Sequence, residues 1–172
     1  MLLGLVGKKG SGKDTCADYL TEHHKFIKIA LADPPKHAVR KLFRLTPKQL
    51  WGPIELKEAI DERYQRSPRE LVIELSNFGK SIDPDCWIKL ALSNIGLYEK
   101  VVVSDVRFLN EAAAIKRNGG ILCRIQRNFS TGLGEQDPSE TEQEQIQVDW
   151  EIQNTGTLEE LYEKIEFIMA RV

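Results

Sequence analysis

Cysteine is scarce in this chain, and no apolar run is long enough to cross a membrane. The 172 residues include three cysteines, Cys16, Cys86 and Cys123, an odd number without close spacing. Such a set argues against a disulfide framework or a zinc site, and it is typical of a reducing compartment. The apolar opening MLLGLV stops at Gly7, which is too short for a signal peptide. We therefore expect a cytoplasmic protein.

An excess of charge of one sign is also lacking. The chain has 24 Lys and Arg against 26 Asp and Glu, a net charge of −2, so no overall field favours nucleic acid or membrane. No internal repeat is present, which excludes a solenoid. Hydrophobic residues make up 41% of the chain, as in an ordinary globular protein. We expect a single domain over residues 1–172 that binds small molecules, with a homodimer left open.

Five short apolar segments are typical of buried strands. Continuous runs such as VVV suit parallel strands that are covered on both faces. The predicted strands cover residues 2–6, 26–30, 100–104, 121–125 and 148–153.

Helix starts are marked by motifs in which proline follows Asp or Ser. The Asp or Ser side chain can accept from the first free amides, and proline suits the first helical position. The motifs are DPPK (33–36), SPRE (67–70), DPDC (83–86) and DPSE (137–140), with capping boxes at TPKQ (46–49) and TLEE (157–160). The predicted helices cover about 13–24, 34–44, 47–51, 68–79, 84–98, a stretch from 107 to 119, and 158–170.

Strands that alternate with helices predict an α/β fold of three layers, with a mainly parallel five-stranded sheet between helices. The helical region at about 33–98 is longer than a crossover needs, so we expect a substrate-binding insert there. The polar stretch 127–145 contains two glycines. Its first part, about 127–137, is predicted to be a short lid.

The stretch LLGLVGKKGSGKDT predicts a phosphate-binding loop between a strand and a helix. The template G-x-x-x-x-G-K-[ST] is met at Gly7, Gly12 and Lys13 and fails at Asp14. Glycines let backbone amides approach phosphate oxygens, and the helix N-terminus adds partial positive charge. A glycine-rich turn without a ligand is the alternative. The predicted nucleotide contacts are Gly7, Lys8, Gly10, Ser11, Gly12, Lys13, Asp14 and Thr15.

A second motif, VVVSDVRFLNE, places Asp105 at the end of a buried strand and Arg107 just beyond it. In open α/β sheets ligands bind at this edge, and a carboxylate there can hold Mg²⁺ through water. Asp14 could supply the metal contact that Ser or Thr usually makes. The alternative is that Asp105 only caps the following helix.

Cations and aromatic side chains complete the candidate site. A monophosphate acceptor is mostly dianionic at pH 7 and needs clamping by cations, whereas a sugar hydroxyl needs a base. The chain offers more well-placed cations than bases, although Asp33 could serve as a base. The candidate cations are Lys36, Arg40, Arg63, Arg66, Arg69, Arg124 and Arg127, and the candidates for base stacking are Trp51, Phe78, Trp87 and Phe108.

These motifs resemble the phage deoxynucleoside monophosphate kinase family, within the P-loop nucleotide kinases. The resemblance rests on GKKGSGKDT, LADPPKHAV, DPDCWIKLAL, VVVSDVRFLNE, SETEQ and NTGTLEELYEKI, and it runs nearly end to end. In this family the GKDT variant is normal. The resemblance implies a P-loop kinase fold and ATP-dependent phosphorylation of deoxynucleoside monophosphates with Mg²⁺, in the host cytoplasm if the gene is a phage gene.

The resemblance also suggests roles for individual residues. Asp137 stands where the family pattern has histidine, and no role is carried over to it. Another P-loop kinase with a different small acceptor, and a nucleotide-binding switch or ATPase, are the alternative functions. The expected catalytic residues are Lys13, Arg69, Arg107 and Arg127; the expected metal contacts are Asp14 and Asp105; and the expected acceptor contacts are Asp33, Lys36, Arg40, Arg69, Trp87, Arg107 and Asn110.

Overall fold

A five-stranded parallel sheet organises the chain in the computed structural model, which describes residues 1–127 and 142–172. The spatial order is β2-β3-β1-β4-β5, and all four strand pairs are parallel. This confirms the predicted sheet, with shifts of at most two residues at the strand ends. The strands are β1 Leu2–Val6, β2 Ile27–Ile29, β3 Val101–Val106, β4 Ile121–Gln126 and β5 Trp150–Gln153.

Helices cover the predicted positions, with two differences. The predicted helix at 84–98 is shorter and is followed by a separate 3-10 turn, Ile95–Leu97, and a further short helix, Ile54–Glu58, was not predicted. The start predicted at 137–140 lies outside the described residues. The helices are α1 Lys13–His24, α2 Asp33–Phe43, α3 Pro47–Trp51, α4 Ile54–Glu58, α5 Pro68–Ile82, α6 Cys86–Leu92, α7 Leu109–Arg117 and α8 Leu158–Met169.

The helix caps follow the predicted motifs only in part. Thr46 and Ser67 form full capping boxes, and Thr157 accepts a hydrogen bond from the third amide of α8. The predicted caps at DPPK and DPDC are wrong. Asp33 is itself the first residue of α2, and Asp83 follows the end of α5, where its carboxylate accepts from the Asp85 amide.

The chain divides into two compact units. Unit 1 comprises residues 1–30 and 94–172, and unit 2 comprises Leu31–Ser93. The core of unit 1 lies between the sheet, α1 and α8 and includes Cys16 and Cys123, whose burial raises the pKa of each thiol to about 12. A separate core around Val39 and Leu71 holds unit 2 together. No helix among the described residues has the length and apolarity needed to cross a membrane.

Candidate active site

The strand order brings the ends of four strands side by side in unit 1. Because all strands are parallel, their carboxyl ends lie at one edge of the sheet, where ligands bind in open α/β folds. The phosphate loop, residues 7–15, follows the central strand β1. Asp105 is the penultimate residue of β3 on one side of it, Arg127 follows β4 on the other side, and Asn154 follows β5. Sequence segments far apart therefore contribute to one edge.

The backbone of the phosphate loop depends on glycine at two points. Gly12, which precedes α1, has φ +106°, and a Cβ there would lie 2.6 Å from Nδ2 of Asn154. Gly7 has φ +152°, and a Cβ would lie 2.3 Å from the carbonyl oxygen of Ile125. Both positions are closed to other residues by conformation and by space. The loop has the narrow turn that a phosphate cradle requires.

Lys13 lies at the start of α1 and is buried, with 7% of its surface exposed. Its Nζ donates to the carbonyl oxygens of Gly7 and Lys8, the latter at 2.8 Å. The ammonium group therefore lies against the loop, as expected of a lysine that serves phosphate oxygens there. A buried cation is costly unless it has partners, and in this structure these carbonyls provide them.

A contact from the far end of the sheet supports the loop. Asn154 is 7% exposed, and its side-chain amide donates to the carbonyl oxygen of Ser11 at 2.8 Å. Its backbone amide donates to the carbonyl of Gln126 at the end of β4. The Ser11 hydroxyl is buried and has no hydrogen-bond partner among the described residues. Asn154 was not predicted, although an Asn directly after a parallel strand is the signal that could have found it.

Asp14, at the second position of α1, departs from the usual loop sequence and is held by Lys28 of β2. Lys28 Nζ lies 3.0 Å from Asp14 Oδ1 and 2.9 Å from Asp18 Oδ1. Partial burial lowers the pKa of Lys28, but the hydrogen bonds to Asp18 and Asp14 outweigh it, and the net shift is upward. Lys28 is therefore a cation between two carboxylates that lie one turn apart on α1.

The edge after β3 contains Asp105, Arg107 and Asn110, all half-buried. The cap of α7 is provided by Glu111, whose Oε2 accepts from the amides of Arg107 at 2.7 Å and Phe108 at 3.1 Å. Glu111 therefore contributes to the cap of α7, and the role of Asp105 stays a prediction. Asn110 Oδ1 accepts from the Glu111 amide at 3.0 Å.

A cavity of about 390 Å³ opens beside the phosphate loop. Arg127 lines it together with the loop, so the structure does bring this predicted residue to the loop. The other side is formed by the connection from β5 into α8, which was not predicted as part of the site. The lining residues are Gly10, Gly12, Lys13, Asp14, Thr15, Arg127, Asn154, Gly156, Thr157, Leu158 and Leu161. The rest of the predicted lid, 128–137, lies outside the described residues.

The segment that begins at residue 142 contacts the same loop. Lys8 Nζ lies 2.7 Å from Glu144 Oε1, and this hydrogen bond lowers the pKa of the Glu144 carboxyl. Arg124, one of the candidate cations, donates to the carbonyls of Gln143 at 2.9 Å and Ile146 at 2.6 Å. Arg124 therefore has a structural contact in unit 1.

Unit 2 contains its own polar cluster. The Asp33 carboxylate accepts from the indole nitrogen of Trp51 at 2.8 Å and lies 3.5 Å from Lys36 Nζ. Lys36 also lies over the Trp51 ring, 5.8 Å from its centroid. Asp33 therefore anchors both Trp51 and Lys36, because both donate to its Oδ1. Arg40 is exposed one turn further along α2.

The remaining unit 2 candidates have structural contacts. Arg69 pairs with Glu58 at 2.8 Å, and both side chains are more than half exposed. The Trp87 indole nitrogen donates to the Ser76 carbonyl at 3.0 Å. A Cβ on Gly79 would lie 2.6 Å from the Trp87 ring. Trp87 therefore packs α6 against α5. Arg63 and Arg66 pair with Asp61 and Glu74.

The fold and the loop define a class of protein, the kinases of the P-loop fold. Shikimate kinase from Aquifex aeolicus superposes with a TM-score of 0.53 at 19% identity, over 99% of this chain and 96% of that one. A protein of Thermus thermophilus reaches a TM-score of 0.58 at 19% identity, over 100% and 97%. Dephospho-CoA kinase from Campylobacter jejuni reaches 0.52 at 16%, over 98% and 95%. At these identities the likeness shows the fold.

The chain belongs to the deoxynucleotide monophosphate kinase family. The model of that family matches residues 1–80. A protein of Acanthamoeba polyphaga mimivirus, named as a deoxynucleotide monophosphate kinase, is 36% identical over 184 residues, 96% of this chain and 94% of its own length. The family resemblance stated from the sequence is thus confirmed, and the protein is an enzyme, a nucleoside monophosphate kinase.

Proposed function

We propose that this kinase transfers the γ-phosphoryl group of ATP to the phosphate of a deoxynucleoside monophosphate, with Mg²⁺, and releases the two diphosphates. The observation that carries the proposal is the buried Lys13 at the start of α1, which contacts the backbone of the glycine-rich loop and lines a cavity. The name of the mimivirus relative supports the acceptor class.

The donor nucleotide fits the loop edge of unit 1. The Gly7 and Gly12 positions have no room for a side chain, so that backbone amides can approach phosphate oxygens. The 12-residue helix α1 directs its N-terminus at the same place, which favours an anion. In our proposal residues 7–15 hold the phosphates, Lys13 binds the β- and γ-phosphate oxygens, and the cavity toward Asn154 receives the remainder of ATP.

The oxygen ligands at this edge of the sheet also suit Mg²⁺. Mg²⁺ is held in kinases by one or two carboxylates together with substrate phosphates, and Asp14 and Asp105 supply oxygen ligands of this kind. The described residues contain no group of three or more His, Cys, Asp or Glu side chains that would form a complete protein cage. We assign Asp14 and Asp105 as the residues that hold the ion, which when bound would offset charge on the transferred phosphoryl group.

The acceptor phosphate is assigned to cations rather than to a base. Its dianion attacks without losing a proton, and positioning by charge-assisted hydrogen bonds is then the main requirement. The proposed acceptor contacts are Asp33, Lys36, Arg40, Arg69, Trp87, Arg107 and Asn110. Asp33 would act mainly by orienting Lys36, because it already accepts from Trp51 and lies beside Lys36.

Arg127 completes the proposed site. It lines the cavity beside Lys13 and Thr15, where a guanidinium can stabilise charge on transferring phosphoryl oxygens.

The proposal is tested by transfer of labelled γ-phosphate to a panel of deoxynucleoside and ribonucleoside monophosphates, with free thymidine included. We expect at least one deoxynucleoside monophosphate to be a far better acceptor than its free nucleoside. Arg107→Ala should lower kcat/KM for that acceptor by about 10- to 150-fold, because it removes a hydrogen bond to a charged group.

Two outcomes would contradict the proposal. If thymidine is the better acceptor, the site works on a hydroxyl, and Asp33 becomes the candidate base. If ATP is hydrolysed at the same rate with and without every acceptor, the protein is not a phosphotransferase of this kind. The exposed Lys41 of α2, which is not among the proposed contacts, supplies the control variant Lys41→Ala, which should keep the acceptor profile of the wild type.

A further inference from the structure

Asp14 poses an electrostatic problem for a phosphate loop. It lies in the first turn of α1, and its side chain is 82% exposed. The same helix end offers its free amides to the phosphates of ATP. A carboxylate there carries the same sign of charge as the ligand, and the repulsion weakens anion binding unless a cation offsets it.

Lys28 is placed to supply that cation. Its Nζ contacts Asp14 at 3.0 Å and Asp18 at 2.9 Å, and its side chain is 30% exposed. The backbone of β2 around it is fixed by parallel pairing with β3, in which Ile27 and Ile29 lie opposite Val101 and Val103. Lys28 therefore approaches α1 from a strand that is paired with β3, and its ammonium group contacts the Asp14 carboxylate.

We propose that Lys28 is a positioning residue for nucleotide binding, which holds Asp14 and offsets its charge so that the loop accepts the phosphates of ATP. The inference rests on the proposed function, since it takes ATP as the ligand of the loop. Lys28 acts through Asp14. A purely structural ion pair between β2 and α1 would work equally well through Asp18 alone, and it would be indifferent to the charge of the ligand.

The experiment measures binding of ATP and of uncharged adenosine by calorimetry, at low salt and with EDTA present. Lys28→Met should weaken ATP binding by about 3- to 10-fold and leave adenosine binding unchanged, and the difference should shrink in about 0.5 M salt. Lys28→Arg should bind ATP as the wild type does. Asp18→Asn and Lys25→Met, which remove a charge elsewhere on or beside α1, should also bind as the wild type does.

The double variant Asp14→Asn/Lys28→Met decides whether Lys28 acts through Asp14. With Asp14→Asn as background, Lys28→Met should have no further effect on ATP binding. Lys28→Gln, which keeps a polar side chain, replaces Lys28→Met if the latter does not fold. The inference is overturned if Lys28→Met binds ATP like the wild type, if adenosine binding falls equally, or if the full effect persists without the Asp14 charge. A wild type that binds no ATP would instead overturn the proposed function itself.

Discussion

Removal of the Asn154 side chain tests whether the phosphate loop is held from the far edge of the sheet. Asn154 is 7% exposed and donates to the Ser11 carbonyl at 2.8 Å. Asn154→Ala leaves that carbonyl without its donor in a buried place, at a cost of about 1–3 kcal/mol. For a chain of 172 residues, each kcal/mol corresponds to about 2–4 °C in Tm. We expect Tm to fall by about 2–12 °C.

The same change should weaken ATP binding. Without the hydrogen bond from Asn154 the loop samples other conformations. The apparent affinity for ATP then falls in proportion to the fraction of molecules whose loop keeps the conformation that binds ATP. If the full cost of losing the hydrogen bond, about 1–3 kcal/mol, falls on the equilibrium between loop conformations, the Kd of ATP rises by about 5- to 150-fold. Titration calorimetry with ATP and thermal unfolding measured on the same preparation give both quantities.

Asn118→Ala is the matched control. The Asn118 amide also donates to a backbone carbonyl, that of Ala114 at 2.9 Å, but it lies at the end of α7 away from the loop. This variant should lose some stability and keep its ATP affinity. An Asn154→Ala protein whose ATP affinity stays within about twofold of the wild type, despite a lower Tm, would refute the assignment of Asn154 as a support of the loop.

Three further results are expected. Lys13→Ala should lower kcat by at least about 100-fold with an unchanged far-ultraviolet spectrum, whereas near-normal turnover would contradict the loop assignment. Asp105→Asn should raise the Mg²⁺ concentration needed for half-maximal rate more than it raises the Kd of ATP; the reverse order would remove Asp105 from the metal site. In the native protein at pH 8, Cys86 should react with a maleimide first, because burial raises the pKa of Cys16 and Cys123 to about 12; equal labelling of all three would contradict the described core.

Local sequence motifs predicted the parts of the fold that are local in origin. The capping box at Ser67 is complete within four residues, and the strand before Gly7 is a continuous apolar run, so both could be predicted from neighbours alone. The helix Ile54–Glu58 has no buried residue. Without an apolar face it leaves no periodicity to detect.

Long-range contacts account for what was missed or wrong. Asp33 was predicted as a cap, but its oxygen accepts from Trp51, which lies 18 residues away. Asn154 and Ser11 are 143 residues apart in sequence, and only the order of strands brings them together. Residue types and spacing in the loop predicted Lys13 and Asp14, but the pairing of Asp14 with Lys28 depends on how α1 packs on the sheet.

The central place of β1 has a consequence for motion. The strand has a parallel neighbour on each side, and most of its backbone amides and carbonyls are in reach of a ladder partner. We expect its amides to exchange with solvent only when the sheet opens, and the three-residue edge strand β2, which is paired on one side only, to open locally. We therefore expect the phosphate loop to begin at a slowly exchanging strand, whereas Lys28, the partner of its acidic residue, comes from an edge strand whose amides exchange faster.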